Sequence, residues 1–271
     1  MIRMEQIGPV RKFSIARTIL GRNLYFTAAY LVDGLMVDTG CAHTVRELTQ
    51  ALDGSYVHLI ANTHGHEDHI GANAALQTAF AAQILAHREA LPYLADPGRR
   101  RLHPYQRVVW GRPAASRGQE LGNQLETEHF QFEVIHTPGH SPDHVCLYEP
   151  TQGWLFAGDA YVGGRDKALR RDYNVWQIIS SLKKLARLDA QFIFPGSGTV
   201  RDNPKEALRT KIEYLEQTAG RVLELHSRGL SYSRISRQLF GPEMLIAYIT
   251  LGHFSARNLV RSYIEDREAP Y

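Results

Sequence analysis

The chain has 271 residues, 44% of them hydrophobic, enough to bury a full core in one large domain or in one with a small appendage. Its formal charge of +3 is too near balance for a dedicated nucleic-acid binder, so any basic partner site is local. No apolar run is long enough to span a bilayer, the first residues lack the apolar centre of a signal peptide, and two distant cysteines, Cys41 and Cys146, make no disulfide framework; these features read as a cytoplasmic protein with reduced thiols.

From about residue 20 to 200, short β-rich runs alternate with helical patterns. "LYFTAAYLVDGLMVDTG" reads as a hairpin turning at Asp33-Gly34, because its β-branched and aromatic residues favour strand and Gly supplies the turn. "TVRELTQAL" then reads as a helix and "HLIANT" as a short buried strand. "AALQTAF" is helical, "QILAH" a strand and "EALPYLAD" helical again. "HFQFEVIHTPG", "HVCLYEP" and "GWLFAGD" follow as strands, then the helix "NVWQIISSLKKLARL" and a last strand "QFIFPG". Mixing of this kind excludes an all-helical or all-β domain and predicts sheet layers covered by helices, over residues 1–200.

After Arg201 the β signals stop. "PKEALRTKIEYLEQTAGRVLELHSRG" has helical spacing and a glycine terminator, and shorter helical patterns follow in "SYSRISRQLF", "EMLIAYITLG" and "SARNLVRSYIE". Residues 201–271 therefore form a helical extension. Its eleven Lys and Arg stand against nine Asp and Glu, too even for a strong phosphate footprint, which favours a packing or substrate-capping role, or homodimer contacts.

The chemistry concentrates in "NTHGHEDHIG". If Thr63 to Asp68 leaves its strand extended, alternate side chains share a face, so His64, His66 and Asp68 converge and His69 is offset. Two imidazoles and a carboxylate form most of a site for zinc, and the same donors suit iron and manganese. Downstream, "HTPGHSPDH" offers His140 from a Pro-Gly turn and "FAGDA" offers Asp159 at a strand end, which supply further ligands.

"DTG" at Asp38 to Gly40, "THGHEDH" at Thr63 to His69, "TPGH" at Thr137 to His140 and "GD" at Gly158-Asp159 together resemble the successive motifs of the metallo-β-lactamase superfamily, in the family's order. The resemblance covers about residues 20–200. It implies a four-layer αββα sandwich with metal at one edge: His64, His66 and His140 on a first ion, Asp68 and His69 on a second, and Asp159 bridging. Asp38 is then the residue that orients the histidine loop without being a ligand. Members of the family hydrolyse thioesters, lactones, β-lactams and phosphodiesters, and some are iron oxygenases, so the substrate has to be argued from the site.

The chain departs from the family pattern at "FPGSGTV", where Ser197 stands in place of a histidine of the second site. Three completions are open: one ion only, two ions with water in the vacancy, or a ligand from Cys41 or His43. With one ion, Asp68 is free to orient or deprotonate the attacking water, and Tyr161 is placed to stabilise an oxyanion. The weakened second site also leaves open a mononuclear iron dioxygenase acting on a sulfur-containing substrate, and the short-helix cadence of the tail a nuclease with a nucleic-acid-binding module. Finally, Gly98 to Gly118 holds six arginines and no acid, and "GRDKALRRD" follows Asp159. Arg99, Arg100, Arg101 or Arg107, with Arg170 or Arg171, are expected to grip a phosphate or carboxylate, making the substrate a small anionic ester, thioester or phosphoester.

Overall fold

The computed structural model describes residues 1–268, so the last three residues of the expected 201–271 extension lie outside the described residues. Two sheets face each other. The first has seven strands in the order Ile2–Ile7, Val10–Ile15, Thr27–Val32, Leu35–Val37, Leu59–Ala61, Gln83–Ala86 and Gly118–Glu120. The second has five, in the order Gln124–Glu126, Gln131–His136, Val145–Glu149, Trp154–Gly158 and Phe192–Pro195.

The period-two alternation of strand side chains builds the layers. Tyr30, Val32, Phe132, Leu147, Phe156 and Phe194 point between the sheets and form one buried cluster. Ala29 and Leu31 point the other way, under Leu48, Leu76 and Leu94 from helices α1 (Val45–Ala51), α2 (Asn73–Phe80) and α3 (Leu91–Ala95). On the far side, Cys146, Tyr148, Leu155 and Ile193 meet helix α5 (Val175–Leu185), which follows the short α4 (Pro104–Val109) in the chain. The result is the αββα sandwich. Its two sheets are tied where Tyr30 Oη donates to the Pro195 carbonyl at 2.6 Å.

The C-terminal helices are α6 (Pro204–Ser227), α7 (Tyr232–Phe240), α8 (Leu245–Ile249) and α9 (Ala256–Glu265). Leu208, Ile212, Leu215 and Val222 of α6, Ile235 of α7, and Leu259, Val260 and Tyr263 of α9 join Ile179 and Leu182 of α5 in a single buried cluster. The seam is also polar: Val175 N donates to Ser262 Oγ at 2.9 Å, Trp176 Nε1 to the Tyr263 carbonyl at 3.2 Å, and Leu169–Arg170 pairs antiparallel with Phe254–Ser255.

Three local expectations change. The N-terminal hairpin is a strand pair that sequence reading left unassigned, its outer strand Ile2–Ile7 being mostly exposed. The arginine-rich segment is more ordered than a loop: Pro97–Arg99 forms a 3-10 turn and Pro104 starts α4, as a proline in a first helical turn does. The helix expected through "EMLIAYITLG" is confined to Leu245–Ile249 and ends before Leu251, whose φ is +52°.

Candidate metal centre

Five strand ends deliver the site to one edge of the sandwich. Val37 leads into Asp38, Ala61 into residues 62–71, His136 into residues 137–144, Gly158 into Asp159, and Pro195 into Gly196-Ser197. Backbone bonds hold these ends in step: Asp38 N to Ala61 O at 3.0 Å, Val145 N to Thr63 O at 2.8 Å and Gly196 N to Gly158 O at 2.7 Å. Gly158 has φ +46°, and a Cβ there would lie 2.7 Å from both His144 Nε2 and Thr63 Oγ1; only glycine lets Asp159 turn inward at this point.

The histidine loop is not extended throughout. From His66 it coils, with His69 N and Ile70 N both bonded to the His66 carbonyl at 3.0 and 3.2 Å. The coil brings the fully buried His69 inward instead of leaving it offset. His64 Nε2 lies 2.9 Å from His66 Nδ1, which lies 2.9 Å from His140 Nε2. A second group of converging ligand atoms comprises His64, His69 and Asp159. Asp159 faces both groups, with Oδ2 3.4 Å from His140 Nε2 and Oδ1 3.6 Å from His69 Nε2; Asp68 Oδ2 is 3.9 Å from that same nitrogen.

Burial, reinforced by cationic neighbours, holds the His64 and His66 imidazoles well below their ordinary value and pushes His140 down to about 4. All three therefore present neutral rings with free lone pairs. Burial opposes protonation of His69 too, but the carboxylates of Asp38, Asp159 and Asp68 outweigh it and raise that group. Burial, with Glu67 and Asp159 nearby, raises the Asp68 carboxyl, whereas His69 and His140 hold Asp159 low against its burial. His69 Nε2 and Asp159 Oδ1 are buried without a hydrogen-bond partner. The converging lone pairs of His64, His66 and His140 and the unpartnered buried Oδ1 of Asp159 are a donor set that a divalent cation satisfies, with His69 giving up its Nε2 proton to join it, so the residues fit a metal ion.

Neighbouring residues fix this arrangement. The buried Asp38 accepts from Thr63 N and Thr63 Oγ1 at 2.8 Å each and from His69 Nδ1 at 2.7 Å. Asp143 accepts from Gly65 N at 2.7 Å. His144 accepts from Asp159 N at 3.0 Å through Nε2, so its Nδ1 carries the proton and donates to Thr137 Oγ1 at 2.8 Å. The tyrosine hydroxyl at the metal group is that of Tyr173, 3.2 Å from His140 Nε2. Sequence reading singled out Tyr161 instead; its ring belongs to the buried apolar cluster behind the second sheet. Nothing local marks Tyr173, which the chain brings back from a loop fourteen residues past Asp159.

Ser197 Oγ accepts from Tyr25 Oη at 3.2 Å. Burial and the Asp159 charge push the Tyr25 hydroxyl up to about 12, so it stays a phenol. Cys41 is fully buried among apolar side chains, and His43 Nε2 is engaged by the Arg107 carbonyl at 2.8 Å and by Arg17; neither joins the converging ligand atoms. Of the arginines, Arg100, Arg101, Arg170 and Arg171 line one cavity of about 520 Å³ together with Gln106 and His253. Its wall is shared with the metal loop: Arg100 donates to the Gly65 carbonyl at 2.7 Å, Gln106 to Glu67 at 2.6 Å, and Arg170 lies over the Tyr173 ring. Arg99 lines a neighbouring cavity and Arg107 lines neither.

A family model for the metallo-beta-lactamase superfamily matches residues 22–197, and the chain belongs to that superfamily. It is 27% identical to a hydroxyacylglutathione hydrolase of Polaromonas, over 70% of this chain and 68% of that one. It is also 27% identical to the lactamase-like protein aptB of Emericella nidulans, over 77% of this chain, though it spans only 63% of that relative's length. A metallo-beta-lactamase family protein of Thermus thermophilus has the same fold, with a TM-score of 0.69 over 94% of this chain and 92% of its own, at 19% identity. Among the described residues no helix is long and apolar enough to cross a membrane.

Proposed function

We propose that the protein is a metal-dependent hydrolase of a small anionic ester, thioester or phosphoester. The observation that carries this reading is the juxtaposition of the His64, His66 and His140 nitrogens and the orphaned atoms of His69 and Asp159 with an arginine-lined cavity whose wall is the metal loop itself. His64, His66 and His140 would hold a first ion, and His69, Asp68 and Asp159 a second, weaker one. Imidazole and carboxylate donors suit zinc, with iron and manganese next. A divalent cation held there supplies Lewis acidity toward water and toward the substrate's carbonyl or phosphoryl oxygen.

The chain's own residues do the rest. Asp68, raised by burial, accepts a proton from the attacking water when no second ion claims it. Tyr173 Oη, beside His140, donates a hydrogen bond on the substrate side of the group. Arg101 and Arg171 have no ion-pair partner among the described residues, whereas Asp172 holds Arg170 at 3.1 Å and the Gly65 carbonyl holds Arg100. The two free guanidinia bind a phosphate or carboxylate remote from the scissile bond and so position it. The similarity to a hydroxyacylglutathione hydrolase, a thioesterase by name, supports the same class.

The test is metal analysis of the purified protein, followed by a panel of anionic and neutral esters, thioesters, lactones and phosphodiesters with oxygen uptake recorded in parallel. Preferential, salt-sensitive hydrolysis of anionic members supports the reading. Oxygen consumption with a sulfur substrate supports an iron dioxygenase instead, and cleavage confined to polynucleotides a nuclease.

A further inference from the structure

The cavity lined by Arg101 and Arg171 has a second wall that the proposed chemistry does not use. It is built by the C-terminal extension, through Leu251, Gly252 and His253. Leu251 is 83% exposed, and next to it α8 exposes Leu245 at 73%, Tyr248 at 69% and Ile249 at 57%, while Ala247 alone of that turn is buried. Positions i, i+3 and i+4 of a helix share one side, so Leu245, Tyr248 and Ile249 form an exposed apolar patch beside Leu251, and such a patch marks a contact surface. Leu251 also sits at φ +52°, a backbone conformation that glycine takes freely and a leucine only under strain.

The face is held at a fixed distance from the cations. Gly252 N bonds to the Ala247 carbonyl at 2.7 Å, Asn258 Nδ2 donates to the Gly252 and His253 carbonyls at 3.0 Å each, and Arg171 N donates to the His253 carbonyl at 3.0 Å. His253 is clamped in turn by Tyr105 Oη at 2.9 Å and by the His103 ring, stacked at 3.9 Å. An apolar ledge thus adjoins two guanidinia, those of Arg101 and Arg171, that have no ion-pair partner among the described residues, at the mouth of the metal edge.

We propose that this cavity takes an amphiphilic anion: the substrate carries a phosphate or carboxylate bound by Arg101 and Arg171 and an apolar chain that lies along Leu251, Ile249, Tyr248 and Leu245. The proposal deepens the hydrolase reading above and rests on it for the word substrate. Charge complementarity selects this occupant. A stable dimer buries about 800 Å² per partner, which four partly exposed side chains do not supply, so the ledge suits a flexible chain better than a second copy.

The test measures binding to the intact protein by calorimetry, without turnover, with decyl phosphate below its micellar concentration, inorganic phosphate and decanol as probes. Decyl phosphate is expected to bind one per chain, at least tenfold tighter than either other probe. Leu251→Gly, which relieves the left-handed strain and so folds, is expected to weaken decyl phosphate at least fivefold and leave inorganic phosphate unchanged. Arg171→Ala is expected to weaken both. Decyl phosphate binding no tighter than inorganic phosphate, or indifferent to Leu251→Gly and to Tyr248→Asp alike, overturns the proposal. So does a dimer in sedimentation that Leu251→Gly dissociates, because the ledge then belongs to a second copy. These readouts involve no hydrolysis, so a failed activity panel leaves them interpretable, and the reverse.

Discussion

Replacing Asp38 by Asn separates the orienting role of this residue from its size and backbone. Asn tolerates the φ of +57° observed at this position, so no strain is added. The carboxylate accepts three hydrogen bonds, from Thr63 N, Thr63 Oγ1 and His69 Nδ1. An amide keeps one acceptor oxygen. If that oxygen retains Thr63 N, the amide NH₂ faces Thr63 Oγ1, which can rotate, and His69 Nδ1–H, which cannot both keep its proton and find an acceptor. The imidazole then shifts its proton to Nε2, the orphaned atom that faces Asp159 and the position proposed for a second ion. Loss of such an orienting partner lowers metal affinity about 10- to 100-fold. A lost bond to a charged group costs about 1.5–3 kcal/mol of stability, and at roughly 2–4 °C per kcal/mol for a chain of this size the melting temperature falls by roughly 3–12 °C. Competition with a chromophoric chelator reads the affinity, and calorimetry of the metal-free protein reads the stability. The weaker equivalent is expected to be lost while the tighter one stays. An Asp38→Asn protein that binds both equivalents within twofold of the wild type would refute the tautomer argument.

His140→Ala is expected to remove the tightly bound metal and the activity together, as measured by elemental analysis beside turnover; full metal content in the variant rejects the ligand assignment. Ser197→His is expected to raise the affinity for a second ion, and an unchanged titration shows that another group, Tyr25 foremost, already completes that position. The metal-free protein is expected to lose stability as pH falls from 6.5 toward about 4, because His64, His66, His140 and His144 are held below their ordinary value by burial and the unfolded chain protonates them first. His69 and Asp68, whose folded-state values are raised, work the other way, stabilising at low pH and ceasing to as pH rises, but they are two groups against four. A urea midpoint at pH 5 equal to or above that at pH 7 contradicts the assignment.

The sequence exposes most of the candidate metal centre because its proposed ligands lie in short contiguous motifs at strand ends, where a few residues decide both the turn and the donor. His64, His66, His140 and Asp159 are of this kind. His69 departs from the alternation because a hydrogen-bonded coil from His66 replaces the extended loop, and an i to i+3 bond inside a polar stretch leaves no mark on side-chain periodicity. Tyr173 and His253 were out of reach for a different cause. Each enters the site from a remote segment positioned by tertiary packing, and an isolated tyrosine or histidine carries no local signal of that. The exposed strand Ile2–Ile7 likewise shows no apolar alternation, because a sheet edge buries too little to impose one.

The N-terminus of α5 connects the extension to a metal ligand. Gly139, with φ +125°, packs so closely there that a Cβ would fall 2.4 Å from Ile178 N; its carbonyl accepts from Asn174 N at 2.9 Å, and Ser181 Oγ bonds the Pro138 carbonyl at 2.8 Å. The same helix end is capped from α9 by Ser262. The turn that presents His140 is therefore braced from behind by the C-terminal helices. Homologous recombination at residue 201 would sever that brace, whereas an exchange that carries residues 169–176 with 201–268 keeps it whole. An exchange of the second kind would replace the ledge while leaving His64, His66, His140 and Asp159, and the turn that presents His140, where they are.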